Sequence, residues 1–155
     1  IVLEKDKQGS MKELQYSTTI KAPREKVWAT LWEDESFRDW AGLIDEGTYM
    51  EGQMAEGKQV RFISSVNGYG VTSLIDELRL YEFISFRHSA DTKERGQQER
   101  EKEWTGGRES YSLTEKDGTT LLTVKTDVPQ ELIEIFGIRL PLALERIRAL
   151  AERRN

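Results

Sequence analysis

The chain contains no cysteine. That absence removes disulfides, thiolate catalysis and cysteine metal sites together, and it reads as the composition of a cytoplasmic protein. There is one histidine, His88, which excludes a histidine-rich zinc site; no acidic loop has the spacing of a calcium hand, so neither metal nor other cofactor is expected. No apolar run approaches the ~20 residues of a membrane helix, and membrane insertion is not expected. The basic residues, 23 Lys and Arg against 28 Asp and Glu, are interleaved with acids and give a net charge of −5. No cationic stripe exists to neutralise phosphates, so nucleic acid is not an expected partner. Residues 1–10 lack the apolar core of a secretion signal, and Gly9-Ser10 before Met11 looks like a cloning junction. This tail is set apart from a single expected domain over residues 11–155.

What the chain does have is charge and clustered tryptophan. Charged residues make up 33% and apolar ones 37% of the 155, enough for one organised core under a heavily charged surface. Three of the four tryptophans fall in the stretch KAPREKVWATLWEDESFRDW, residues 21–40. Trp is large and its N–H needs a partner, so this density suggests a lid, a docking surface or an aromatic core.

Residues 13–21 alternate with β-branched and aromatic side chains and read as a first strand. Pro23 suits the first position of a helix whose apolar face is Val27, Trp28, Leu31 and Trp32. Ser36 with Asp39 resembles a capping box for a second short helix carrying Phe37 and Trp40, ended by Gly42. Short β-rich segments follow at 47–51, 59–65, 70–78, 82–89, 103–115 and 119–128, the pattern of an antiparallel meander. Asp117-Gly118 supplies a two-residue hairpin turn that puts Leu113 and Leu121 on neighbouring strands. Residues 91–102, DTKERGQQEREK, read as solvated loop or exposed hairpin tip. After Pro129 the helical period returns, with Leu132, Ile135 and Phe136 in one apolar set and Leu140, Leu144, Ile147 and Ala151 in another. Gly137 and Pro141 are expected to bend this element.

Motifs that carry chemistry are scarce. Residues 52–58, GQMAEGK, have the spacing of a phosphate-binding loop, but Gln59 stands where a hydroxyl should hold Mg²⁺ and a strand follows where a helix is needed. NGYG at 67–70 is a turn. Ser85 and Ser89 lie outside any Gly-x-Ser-x-Gly elbow. His88 is either a general base or a lining residue at a strand end.

TTIKAPREKVWATLWEDESFRDW resembles the START-like (SRPBCC, Bet v 1-like) superfamily, where I-x-A-P-x-x-x-V-W leads from the first strand into the first helix. GGRESYSLTEKDGTTLLTV resembles the late hairpin of its branch similar to the C-terminal domain of the Hsp90 ATPase activator and to polyketide cyclase-like proteins. The resemblance implies an α+β helix-grip fold: a curved antiparallel sheet around a long C-terminal helix, two short helices after the first strand, and a cavity between sheet and helix. The implied ligand is a small lipophilic molecule, and the implied lining is Trp32, Trp40, Phe62, Ile84, Phe86, His88, Tyr111, Phe136, Leu140 and Leu144. Two departures stand out. His88 occupies a strand-end position that often holds tryptophan in the family, and Pro141 interrupts the last helix. Three functions follow: a binding module without chemistry of its own, a cyclase- or hydrolase-type enzyme using His88 and an acid such as Glu109, or a co-chaperone-like domain that docks a protein partner. The sequence does not set the oligomeric state.

Overall fold

The structure is a computed structural model and describes residues 11–100 and 103–155; the tail at 1–10 lies outside the described residues. In chain order it comprises β1 (Met11–Ile20), α1 (Arg24–Trp32), α2 (Asp34–Ala41), β2 (Thr48–Gly52), β3 (Gln59–Ser64), β4 (Gly70–Arg79), β5 (Phe83–Lys93), β6 (Gln98–Arg100), β7 (Arg108–Lys116), β8 (Thr119–Pro129) and α3 (Ile133–Glu152), the last entered through a 3₁₀ turn. All strand pairs are antiparallel, in the order β1-β8-β7-β5-β4-β3-β2, with β6 added to β5. This is the α+β helix-grip arrangement: the two short helices follow the first strand and α3 packs on the sheet and on both of them.

The local causes are plain in several places. Pro23 caps α1 in extended conformation, and its carbonyl accepts from Val27 N–H at 3.2 Å. Glu33, also extended, ends α1 and caps α2. The expected capping box is therefore displaced: α2 starts at Asp34, with Asp34 and Glu35 complementing the helix dipole, while the Ser36 hydroxyl donates to the carbonyls of Glu33 and Ala29. Gly42 closes α2 in right-handed conformation. Asp117 and Gly118 both have positive φ, 53° and 77°, the pair that a tight β7–β8 turn demands. Leu113 and Leu121 do lie on adjacent strands, but Leu113 is buried and Leu121 exposed, because alternate residues face opposite sides of a sheet.

Two expectations are corrected. Residues 91–93 continue β5, which turns back at 94–97 into β6: the exposed hairpin tip is there, but Asp91 and Thr92 at its base are buried and not solvated. Residues 103–107 are a turn ahead of β7 and not its beginning. The GQMAEGK stretch ends β2 and makes a turn through Gly57 (φ 83°) before β3, as the rejection of a phosphate loop requires. α3 runs unbroken through Pro141.

The core joins Ile20, Val27, Leu31, Ile75, Ile84, Phe86 and Leu122 to Leu144, Ile147 and Ala151 of α3. The tryptophan cluster belongs largely to it. Trp32 is the hub, with ring centroids 6.4 Å from Trp28, 6.3 Å from Trp40, 5.5 Å from Phe86 and 4.9 Å from Tyr111. Trp40 Nε1 donates to Leu31 O at 3.2 Å, which satisfies one indole; Trp32 Nε1 has no partner among the described residues.

Candidate functional site

A pocket of about 300 Å³ lies beside this core. Its walls come from α2 (Phe37, Trp40, Ala41), the chain after it (Ile44, Asp45, Thr48), β3 and β4 (Phe62, Ser64, Gly70, Val71), and the central strands (His88, Asp91, Thr92, Glu109, Tyr111, Val124, Thr126). Trp104 and Glu103 before β7, Tyr69 before β4, and Phe136 and Leu140 of α3 complete the lining.

Strand alternation places Ile84, Phe86 and His88 inward along β5, and all three are buried. His88 then lies at the pocket wall, 2% exposed. Its Nδ1 is 2.6 Å from Ser73 Oγ on β4, beside a β-bulge between Thr72 and Ser73 that breaks the β4–β5 register there. Its Nε2 faces Glu109 Oε1 at 3.9 Å, beyond hydrogen-bond length. Burial lowers the imidazole pKa from 6.5 to about 4, so the ring is neutral near pH 7. When the Ser73 hydroxyl donates to Nδ1, the ring proton sits on Nε2, toward the pocket; in the other tautomer Nδ1–H donates to Ser73 Oγ.

Glu109 and Tyr111 project from the same face of β7, two residues apart, and the Tyr111 hydroxyl donates to Glu109 Oε2. Burial raises the Glu109 carboxyl pKa, partly offset by that hydrogen bond; burial first, then the adjacent carboxylate, pushes the Tyr111 phenol well up. Trp104 is seated over His88, their rings 6.0 Å apart edge to face, and stacks obliquely on Phe136 of α3 at 5.4 Å. The loop carrying Trp104 is tied to β5 by His88 N–H donating to Gly107 O (2.9 Å) and Gly106 N–H to His88 O (2.8 Å). Asp91 Oδ1 accepts from Trp104 N–H at 3.2 Å and from the Thr105 hydroxyl at 3.3 Å. Asp45 lies at the opposite wall; burial raises its carboxyl pKa, with Arg139 and Asn67 acting against the rise.

Of the residues named from sequence, Trp40, Phe62, His88, Tyr111, Phe136 and Leu140 line this pocket. Trp32, Ile84, Phe86 and Leu144 do not: they sit behind it in the core, where Trp32 packs on Phe86 and Tyr111. The sequence reading missed Trp104, Asp91, Thr92 and Asp45. Trp104 was hidden inside an assumed strand, and Asp91 and Thr92 inside a stretch whose polar composition looks solvated. Ser73 was missed because a serine in mid-strand gives no signal of the bulge that aims it at His88.

No protein-family model matches the chain, and no curated protein does. Solved structures do match. CalU16 from Micromonospora echinospora is 16% identical, with a TM-score of 0.61 over 92% of this chain and 78% of that one. DynU16, a protein of the dynemicin biosynthetic locus, is 15% identical at TM-score 0.66 over 91% of this chain; the match spans about half of its longer chain, 47%. The Aha1 dimer from Colwellia psychrerythraea gives 15% and 0.67, covering 92% of this chain and 97% of that one. At these identities the likeness shows a shared fold and nothing beyond it.

Proposed function

We propose that this domain binds a small lipophilic molecule in the pocket between the sheet, α2 and the first half of α3. The observation that carries the reading is the lining itself: aromatic and aliphatic side chains with a few convergent polar groups, His88, Glu109 and Tyr111, at one wall. Small-molecule sites have this composition, an apolar body with a handful of orienting groups. His88 acts here as a hydrogen-bond donor and not as a base. Its Nδ1 is engaged by Ser73, its pKa near 4 makes it a weak proton acceptor at pH 7, and Glu109 stands too far from Nε2 to raise its basicity. The fold is shared with one protein of a biosynthetic locus and with Aha1, which is consistent with a binding domain and chooses no ligand.

The test is native mass spectrometry of freshly purified protein beside its denatured mass, followed by titration of the intrinsic tryptophan fluorescence with lipids and polyketide-like aromatics. Trp40 and Trp104 line the pocket, so occupancy should change the emission. A co-purifying mass or saturable quenching is expected, and His88→Ala should weaken the binding. A clean mass with no response across the panel would overturn the reading.

A further inference from the structure

The charge of the pocket is one-sided. Four carboxyl groups, Asp45, Asp91, Glu103 and Glu109, belong to its lining, and among the described residues no lysine or arginine does. Its histidine is neutral near pH 7 and contributes no positive charge. The acids are not equally available. Asp91 is engaged by the Trp104 loop, and Glu103 is exposed. Asp45 has Arg139 and Asn67 beside it. Glu109 is the partly buried acceptor beside His88: Oε2 is taken by Tyr111, while Oε1 is turned toward His88 without reaching it.

A second observation is independent of the acids. The Thr92 side chain, 1% exposed and part of the pocket wall, has its hydroxyl without a hydrogen-bond partner among the described residues. A buried polar atom left in that state is destabilising, and a bound polar group would relieve it. The rest of the wall is rich in aromatic rings, Trp40, Phe62, Trp104, Tyr111 and Phe136 among them, whose faces carry partial negative charge. Carboxylates, an open hydroxyl and aromatic faces, with no lysine or arginine among the described lining residues and Arg139 acting on Asp45 from outside it, form an environment for a donor-rich positive group.

Building on the pocket reading above, we infer that the ligand is an amphiphilic amine: an aliphatic or aromatic body carrying a protonated nitrogen that is received by Glu109 and the surrounding rings. An ammonium supplies only donors, which matches open acceptors. It would also compensate the burial that raises the Glu109 pKa. A fatty acid would bring a fifth carboxylate into the same pocket.

Octylamine, octanol and octanoate share one chain length and differ in head group, so titrating the tryptophan fluorescence with each at pH 7 and low salt separates the two readings. The amine is expected to bind about tenfold tighter than octanol, with octanoate weakest. Glu109→Gln, checked for folding by circular dichroism, should remove most of the amine's advantage over octanol. Octanoate or octanol binding as tightly as the amine to the unaltered protein would overturn the amine inference while leaving a lipophilic pocket in place. So would an amine preference that survives Glu109→Gln in a folded variant. Absence of saturable binding by all three would overturn both.

Discussion

His88 gives the clearest residue-scale prediction because its environment fixes the sign of a pH effect. Its pKa is lowered from 6.5 to about 4 by burial, so the unfolded chain takes up a proton that the folded one resists. The penalty is absent above pH 6.5 and grows as pH falls toward 4, reaching about 3 kcal/mol. Glu109 opposes it, since its raised pKa lets the folded state protonate first on acidification. Comparison with His88→Asn isolates the imidazole: denaturant melts from pH 7 to pH 4 should show the unaltered protein losing stability relative to the variant. Parallel curves would mean that the ring is solvated. The burial of His88 was legible from alternation along ISFRH, two residues beyond Phe86, but its partner was not. Ser73 reaches it from the neighbouring strand through a bulge, and bulges leave no mark in hydrophobic pattern.

At the scale of elements, the β3–β4 hairpin rests on Gly70. A Cβ there would sit 1.9 Å from Phe62 O and 2.9 Å from Ile63 Cα, both backbone atoms that cannot yield without breaking the pairing. Gly70→Ala should cost about 2–4 kcal/mol by denaturant midpoint. Gly57→Ala is the contrast, because its Cβ meets nothing within 4 Å and only the positive φ of 83° is penalised, at about 1 kcal/mol. Equal losses at the two sites would contradict this. In α3, Pro141 lacks the N–H that would donate to the Gly137 carbonyl one turn earlier, in a helix that is otherwise continuous. Pro141→Ala should therefore raise the midpoint, by about 1 kcal/mol or more, and a drop would show that the ring's packing matters more than the missing bond. Element types and order were legible because period-2 and period-3.6 patterns alternate cleanly along the chain. The boundary between β6 and β7 was not, since residues 91–107 carry polar side chains apart from Trp104 and the glycines, and Asp91 and Thr92 are buried by their place in the sheet, not by hydrophobicity.

For the whole molecule, the apolar material that the sequence concentrates in residues 21–40 serves two layers at once. Trp28 and Trp32 bind the helix pair to the core, and Phe37 and Trp40 present the outer edge of the same cluster to the pocket. The Asp39–Arg146 pair, with bonds of 2.7 and 3.0 Å, ties α2 to α3 on the far side and holds that wall in place. α3 itself is two-faced: Leu140, Leu144 and Ile147 are buried, whereas Ile135, Ile138 and Leu142 are exposed and offer an apolar strip to solvent. Pocket and strip are two surfaces open to a partner among the described residues, and the central claim is that the pocket is the one used. Amide-resolved NMR titration with the tightest binder from the fluorescence panel decides it. Occupancy of the pocket predicts shifts gathered at residues 37–41 of α2, 88–92 of β5 and 109–111 of β7, three stretches that contribute to its lining. Shifts confined to the outer face of α3 around Ile138 and Leu142 would contradict the account.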